Sequence, residues 1–387
     1  MKKILLIEHN LQPPGGGKAV TAWILEALKQ EYEITILTWN AVDFDSINNF
    51  YGTSLSSSDF NLYTVPWVWQ SLINLIPDQS DFQKLCLLMR LSKIIQVNYD
   101  IVMTISCNEV DLGVRGIQYI NYPYLYHLYQ QLQGDFGQYS YDYLKKIKTH
   151  LRPWKLISGY SFERMKQNLT LVNSNWIGKK IKKCYGIETK TVYPPVHGIF
   201  PQIPWEEKEN GFVCIGRIIL CKRFKRMIKI LTEVRARGYD IHLHIIGTAN
   251  NDLIKDNYYL EIKQLIQINN SWIFFHENLS RKELINLVSK HRYGIHGMLD
   301  EHFGIAVAEM IKGGCITFIP GDGGQVEIVG EEKRLLYQTV GEAVEKIVSV
   351  ISNPDEQKHL CQYLQDRSQC FSIEQFKENI KIIVRQF

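Results

Sequence analysis

No two cysteines in this chain stand in the C-x-x-C spacing of a zinc site or a redox pair, although eight are present. Cys107, Cys214 and Cys315 sit in apolar, strand-like runs, where thiols are buried rather than bridged. That pattern argues against a disulfide scaffold and for a reducing, cytoplasmic setting. Long apolar runs are missing too. The longest uncharged stretches, residues 60–77 and 116–134, hold Asn, Gln and Pro, so neither makes a membrane span. The opening MKKILLIEHN has too short an apolar run for a signal peptide. No repeat of roughly 20 to 50 residues recurs, which excludes a solenoid. Two phosphate-binding fingerprints are incomplete. Gly17-Lys18 is followed by Ala19, and Gln12 holds the earlier glycine position of a P-loop. Val20 stands where G-x-G-x-x-G would need its third glycine, which disfavours a nicotinamide oxidoreductase.

A large charge of one sign is also absent, since the net charge is only +4. It is unevenly spread, however. Between Tyr141 and Lys190 stand twelve Lys or Arg against Asp142, Glu163 and Glu188. Such a stretch suits an anionic partner, either phosphate or an anionic membrane surface, and equally a solvated helical face. Nothing in it points to nucleic acid. A hydrophobic content of 45% with 22% charged residues is that of a globular chain, and 387 residues exceed one ordinary core. Two domains are therefore expected.

The run KKILLIEH reads as a buried parallel strand, followed by the turn NLQPPGGGKA and a helical spacing at Val20, Trp23, Ile24, Ala27 and Leu28. YEITILTW is the next strand, completing a βαβ unit. The alternation restarts with GFVCIGR, and the helix SRKELINLVSKH opens on a capping box of Ser280 and Glu283. Pro194, Pro195, Pro201 and Pro204 stiffen the connection between the halves. The fold class is thus α/β, with two Rossmann-like domains facing across a cleft. Residues 1–203 would form the N-terminal domain and 204–371 the C-terminal domain. A last helix, 372–387, would pack back on the first domain.

Gly15, Gly16 and Gly17 lie between a strand and a helix start, where backbone N–H groups can approach an anion or simply make a tight turn. GRIILCK sets Arg217 past a strand end and Lys222 at the start of the next helix, two cations able to hold a diphosphate. In LDEHFGIAVAEM, Glu301 and Glu309 are eight residues apart, roughly 80° from alignment on one helix. Glu301 therefore belongs to the loop before the helix, with Gly304 near its first turn and Glu309 inside. A buried Glu309 needs hydroxyl donors or a cation.

EHFGIAVAE resembles the E-x7-E motif of retaining GT-B glycosyltransferases, in particular glycosyltransferase family 4. GRIILCK, GDGGQVEIV, LVNSNWIGKKI and VYPPV resemble that family's motifs in order. GIHGMLDEHFGIAVAE, with YINYP and PPGGGK, is similar to lipid-linked-oligosaccharide α-1,2-mannosyltransferases. The resemblance implies a retaining hexosyltransferase, metal-free and without a cofactor, that uses a nucleotide-sugar donor as co-substrate, GDP-mannose before a UDP-sugar. The first domain would be the acceptor side and the second the nucleotide-sugar side, and the acceptor would be a glycan or lipid-linked hydroxyl. The protein would be cytoplasmic, or peripheral at the inner face of a membrane. Glu309 would bind the ribose, Arg217 and Lys222 the diphosphate, and Glu301 with the backbone at His302, Phe303 and Gly304 the donor sugar. Gly16 and Gly17 would close on the diphosphate from the other domain. The mannosyltransferases it is similar to carry His where this chain has Asn121, which can hydrogen-bond a sugar but cannot take a proton.

Asp43 and Asp45 resemble a metal-binding D-x-D but read as a turn. His242 and His244 share one face of a strand and have no third ligand near them in sequence. His296 reads as a structural histidine or as part of the pocket floor. Tyr122, Tyr124, Tyr126, Tyr129 and Trp154, with VPWVWQSLINLIP, suit an acceptor and membrane-contact surface, or ordinary packing. Two alternatives remain open: a non-catalytic nucleotide-sugar-binding protein, and another GT-B enzyme such as an epimerase or a phosphorylase.

Overall fold

The structure is a computed structural model that describes residues 1–13, 15–74, 81–106, 109–123, 155–248 and 256–387. Tyr124, Tyr126, Tyr129, Trp154 and Cys107 lie outside the described residues. The chain divides into two compact units, one of Met1–Pro195 with Phe376–Phe387 and one of Val196–Gln375. The division falls within the proline-rich stretch.

The first unit holds β1 (Lys3–Ile7), β2 (Glu33–Thr38), β3 (Phe60–Thr64), β4 (Ile101–Ser106), β5 (Ile117–Ile120), β6 (Leu169–Val172) and β7 (Thr189–Thr191). They form one parallel sheet in the order β3-β2-β1-β4-β5-β6-β7. The second holds β8 (Glu209–Arg217), β9 (His242–Thr248), β10 (Ile273–Glu277), β11 (His291–Ile295), β12 (Ile316–Pro320) and β13 (Leu336–Tyr337), ordered β10-β9-β8-β11-β12-β13. It too is parallel. Central parallel strands are covered on both faces, which is why Ile4 to Ile7 can be apolar at every position and fully buried. In each sheet the order reverses beside the first strand, between β1 and β4 and between β8 and β11. Loops leaving the carboxyl ends of those pairs diverge and open a crevice.

Three local readings gain detail. The helix after GRIILCK begins at Phe224, beyond Lys222, because Leu220–Lys222 is a 3-10 turn and Arg223 takes a left-handed φ of 55°. Asp43 caps the helix Phe44–Tyr51 by accepting from the Ser46 N–H, which accounts for the D-x-D. Ser280 and Glu283 form both bonds of a capping box on Arg281–Ser289. The last helix, Ile373–Gln386, buries Phe376, Ile380, Ile383 and Val384 along one stripe. Among the described residues, no helix is long and apolar enough to cross a membrane.

Candidate functional site

The switch point of the second sheet brings the ends of β8 and β11 side by side. β8 ends in Gly216 and Arg217. The Lys222 side chain lies back over Gly216, its Cγ and Cδ 3.6 Å from where a Cβ would stand. From there its Nζ reaches Glu301 Oε2 at 2.5 Å. His296, the residue after β11, puts Nε2 3.2 Å from the same oxygen. Arg217 is exposed and, among the described residues, has no carboxylate partner.

Glu301 is held hard in place. Gly323 approaches so closely, at φ 85°, that a Cβ would lie 2.6 Å from the Glu301 carbonyl oxygen and 2.7 Å from its nitrogen. The Gly324 N–H donates to that carbonyl at 2.7 Å. This is what the glycine pair of GDGGQVEIV accomplishes. Burial works against a charge on Glu301, but the His296 hydrogen bond and the Lys222 ammonium outweigh it. The carboxyl is held far below its usual range. His296 is only 2% exposed, and burial, the largest effect, lowers its pKa; the neutral ring donates its Nε2–H. Its carbonyl accepts from the Tyr337 hydroxyl and its N–H donates to Phe318, so backbone and ring are both fixed.

Gly304 caps the helix Ile305–Lys312 at φ 105°, and no side chain satisfies that helix start. Its first N–H groups and dipole thus face the loop that holds Glu301. His302 is half-buried. Phe303 is buried, its ring edge-on to Phe371 at 5.7 Å, so it can offer only backbone to a ligand. Glu309 lies on the buried face of the helix and pairs with Arg281. Arg281 also donates to the His197 carbonyl. The cation that a buried Glu309 requires therefore comes from the capping-box helix.

In the first unit, Gly16 and Gly17 open the helix Gly16–Leu28 without any side-chain cap. Tyr51 pins the turn by donating to the Gly15 carbonyl at 2.9 Å. Asn121, just past β5, rests against Gly17: a Cβ there would stand 3.1 Å from Asn121 Nδ2. Glu8, 3% exposed at the end of β1, accepts from Lys18 Nζ at 2.9 Å and Thr21 Oγ1 at 3.1 Å. Burial opposes its charge, yet His9 and Lys18 together keep its pKa low.

Lys222 and Glu301 are thus brought into contact, Glu309 is one helix further in, and Gly17 touches Asn121. Asn121, Gly16 and Gly17 belong to the first unit and the remaining residues to the second. Sequence reasoning missed Arg281, Glu8 and the bond from His296 to Glu301. Arg281 stands 28 residues before Glu309, a separation that carries no periodic signal. Glu8 had a faint one, a carboxylate at the end of an otherwise apolar strand.

Residues 197–367 match the family model described as "Glycosyl transferases group 1". Among curated relatives, the chain is 30% identical over 171 residues to the mouse GDP-Man:Man(3)GlcNAc(2)-PP-Dol alpha-1,2-mannosyltransferase, which covers 41% of this chain and 35% of that protein. It is 24% identical over 245 residues to the Dictyostelium discoideum protein of the same name, covering 56% and 48%. The match thus spans about a third to a half of those relatives. Among solved structures, sucrose-phosphate synthase from Thermosynechococcus elongatus aligns with a TM-score of 0.68 and 14% identity, over 100% of this chain and 99% of that one. WaaG, a glycosyltransferase involved in lipopolysaccharide biosynthesis, aligns at 0.66 and 13%, over 97% and 98%. At such identities the likeness establishes the fold, the GT-B type with two parallel α/β units.

Proposed function

We propose, for a chain whose residues 197–367 match the model of the group 1 glycosyltransferases, a retaining glycosyltransferase. It takes a nucleotide-diphosphate sugar as donor, with GDP-mannose favoured over UDP-sugars. The acceptor is a hydroxyl of a glycan or a lipid-linked saccharide. The observation that carries this reading is the Lys222–Glu301–His296 cluster at the carboxyl ends of β8 and β11, beside an uncapped helix start. The mannosyltransferase names of the relatives favour GDP-mannose.

Breaking the C1–O bond builds positive charge on the sugar and negative charge on the leaving diphosphate. Lys222 has three N–H donors and gives one to Glu301, which leaves two for phosphate oxygens. Arg217 adds a planar fork of donors from the adjacent strand end. Groups already oriented towards developing charge stabilise a transition state without reorganising. A diphosphate leaves readily, so no strong general acid is needed. Glu301, ionised and fixed by Gly323 and Gly324, would accept from donor-sugar hydroxyls. Glu309, oriented by Arg281, would accept from the ribose diol. Acceptor deprotonation would fall to a donor phosphate oxygen, with attack on the face the leaving group vacates. This chemistry requires no metal ion or cofactor.

Asn121 favours the competing reading of binding without turnover, since it can hold a sugar but carries no charge. Thermal shifts with GDP-mannose, UDP-glucose, UDP-GlcNAc, GDP and UDP, repeated on Glu309→Ala, test the donor site. Stabilisation by one nucleotide family that disappears in the variant supports the donor site. Wild-type protein unmoved by every sugar nucleotide refutes it. Binding without release of nucleotide in the presence of glycan acceptors would favour the non-catalytic reading, and NMR of the product anomer decides retention.

A further inference from the structure

The amino ends of three neighbouring strands in the second sheet meet on one face. β9 opens with His242, β8 with Glu209 and β11 with His291. In the ladders His291 is opposite Glu209, and His242 is opposite Gly211. Gly211 is what lets two rings from flanking strands meet above β8, because a Cβ there would lie 2.2 Å from His242 Nε2. The His242 and His291 Nε2 atoms are 3.1 Å apart. Glu209 Oε2 lies 3.5 Å from the first and 3.6 Å from the second. Zinc–nitrogen bonds of about 2.0–2.1 Å at tetrahedral angles set ligand atoms about 3.3 Å apart. The triangle therefore has the dimensions of one face of such a coordination shell.

His244, two residues along β9 on the same face, offers a fourth ligand, and all four ligand atoms lie within 4.8 Å of one another. The outer contacts are also in place. His291 Nδ1 is 2.7 Å from the Leu287 carbonyl, which fixes the proton there and leaves the Nε2 lone pair facing inward. His244 Nδ1 is 2.8 Å from His276 Nε2, a bond that orients its ring. Burial also favours the neutral, ligating form of these imidazoles.

We infer that Glu209, His242, His244 and His291 bind a divalent transition-metal ion of the zinc type. Three imidazoles and one carboxylate suit zinc, whereas magnesium and calcium favour all-oxygen shells. Glu209 is half-exposed and His291 fully buried, so the site has a route in from solvent and a closed floor. Residues 242 and 244 alone had no third ligand in sequence; the strand order supplies two. Glu209 and Arg217 are opposite ends of one strand of nine residues, roughly 25 Å apart. The ion therefore fastens β8, β9 and β11 together and takes no part in chemistry at the other rim.

The test uses the untagged full chain, dialysed against chelator and titrated calorimetrically with zinc, with cobalt(II) as a spectroscopic stand-in. One equivalent should bind, cobalt should give tetrahedral visible absorption, and zinc should raise the Tm. Glu209→Gln and His242→Asn should each weaken binding at least about tenfold. Glu209 is exposed and His242 half-buried at the strand's end, and circular dichroism checks that both variants keep the sheet folded; His291→Asn extends the series if it folds. Absence of stoichiometric zinc binding would overturn the site. So would unchanged affinity in both variants, because the two rings would then be only a hydrogen-bonded pair.

Discussion

Replacing Arg281 with alanine takes a guanidinium from two acceptors at once, Glu309 Oε1 and the His197 carbonyl. The Glu309 side chain is 9% exposed, so what remains is a carboxylate stripped of its cation in the interior. Removing one member of a buried pair costs about 3–5 kcal/mol. Two features reduce that figure here. Arg281 is 20% exposed, which lets water reach part of the space it leaves. Its Nε is also buried without a hydrogen bond, an existing penalty that the substitution removes. About 2–4 kcal/mol is the expected loss. Adding Glu309→Gln to Arg281→Ala deletes the stranded charge and should restore roughly half of it, a coupling of about 2 kcal/mol. Urea unfolding followed by circular dichroism measures all four corners of the cycle. The comparison rests on the transition of the second unit, since a chain of two units need not unfold in one step. A single-variant loss below about 1 kcal/mol, or a double variant equal to the sum of the singles, would refute the reasoning.

Acidification supplies another test. The fully buried Asp111 side chain accepts from Lys93 at 2.9 Å, from Arg164 at 2.7 Å and from the Ser161 N–H at 2.7 Å. Burial alone would raise its pKa, but these donors outweigh it and hold the carboxyl below its usual value. Its stabilisation is therefore complete above the unfolded pKa of about 3.9 and is lost as pH falls through the lower folded value. Asp111→Asn should destabilise the first unit by about 2–3 kcal/mol at neutral pH and flatten its stability curve below about pH 4; an unchanged slope counts against it. Gly323→Ala would drive a methyl group into the Glu301 backbone, so donor affinity should fall about 10- to 100-fold while Gly341→Ala, in open space, changes nothing. Asn121→His should raise turnover about tenfold or more with little change in donor affinity if charge at that position assists transfer; equal rates would assign Asn121 to packing against Gly17.

Much of the scaffold was legible because its signals are local. Continuous apolar runs gave the parallel strands, and Ser280 with Glu283 announced a helix start that has both capping bonds. The glycine in GIAVAE marked the mouth of a helix whose cap is Gly304 at positive φ. What stayed hidden depends on strand order or on pairs far apart in sequence. Arg281 meets Glu309 across 28 residues, and Lys222 meets Glu301 across 79. His291 reaches His242 only because β8 lies between their strands and carries a glycine at the crossing point. No periodicity reports such neighbours. The helix start after GRIILCK was misplaced for a related reason, since Arg223 accepts a left-handed backbone that its residue type does not advertise.

The helix Ile373–Gln386 starts in the second unit and ends in the first, where Lys381 and Arg385 pair with Glu31 at 3.0 and 2.8 Å and Arg115 stacks on the Phe387 ring. The first unit is therefore discontinuous in the chain, with the whole second unit inserted before its last segment. During synthesis, residues 376–387 emerge only after residues 196–375 have been made. The unit that begins first must wait for the ribosome to finish the other before its last segment, with the buried Phe376, Ile380 and Ile383, can join it. A chain stalled between the two would present one finished unit and one still missing its last helix, an incomplete state of the kind that exposes a nascent protein to aggregation.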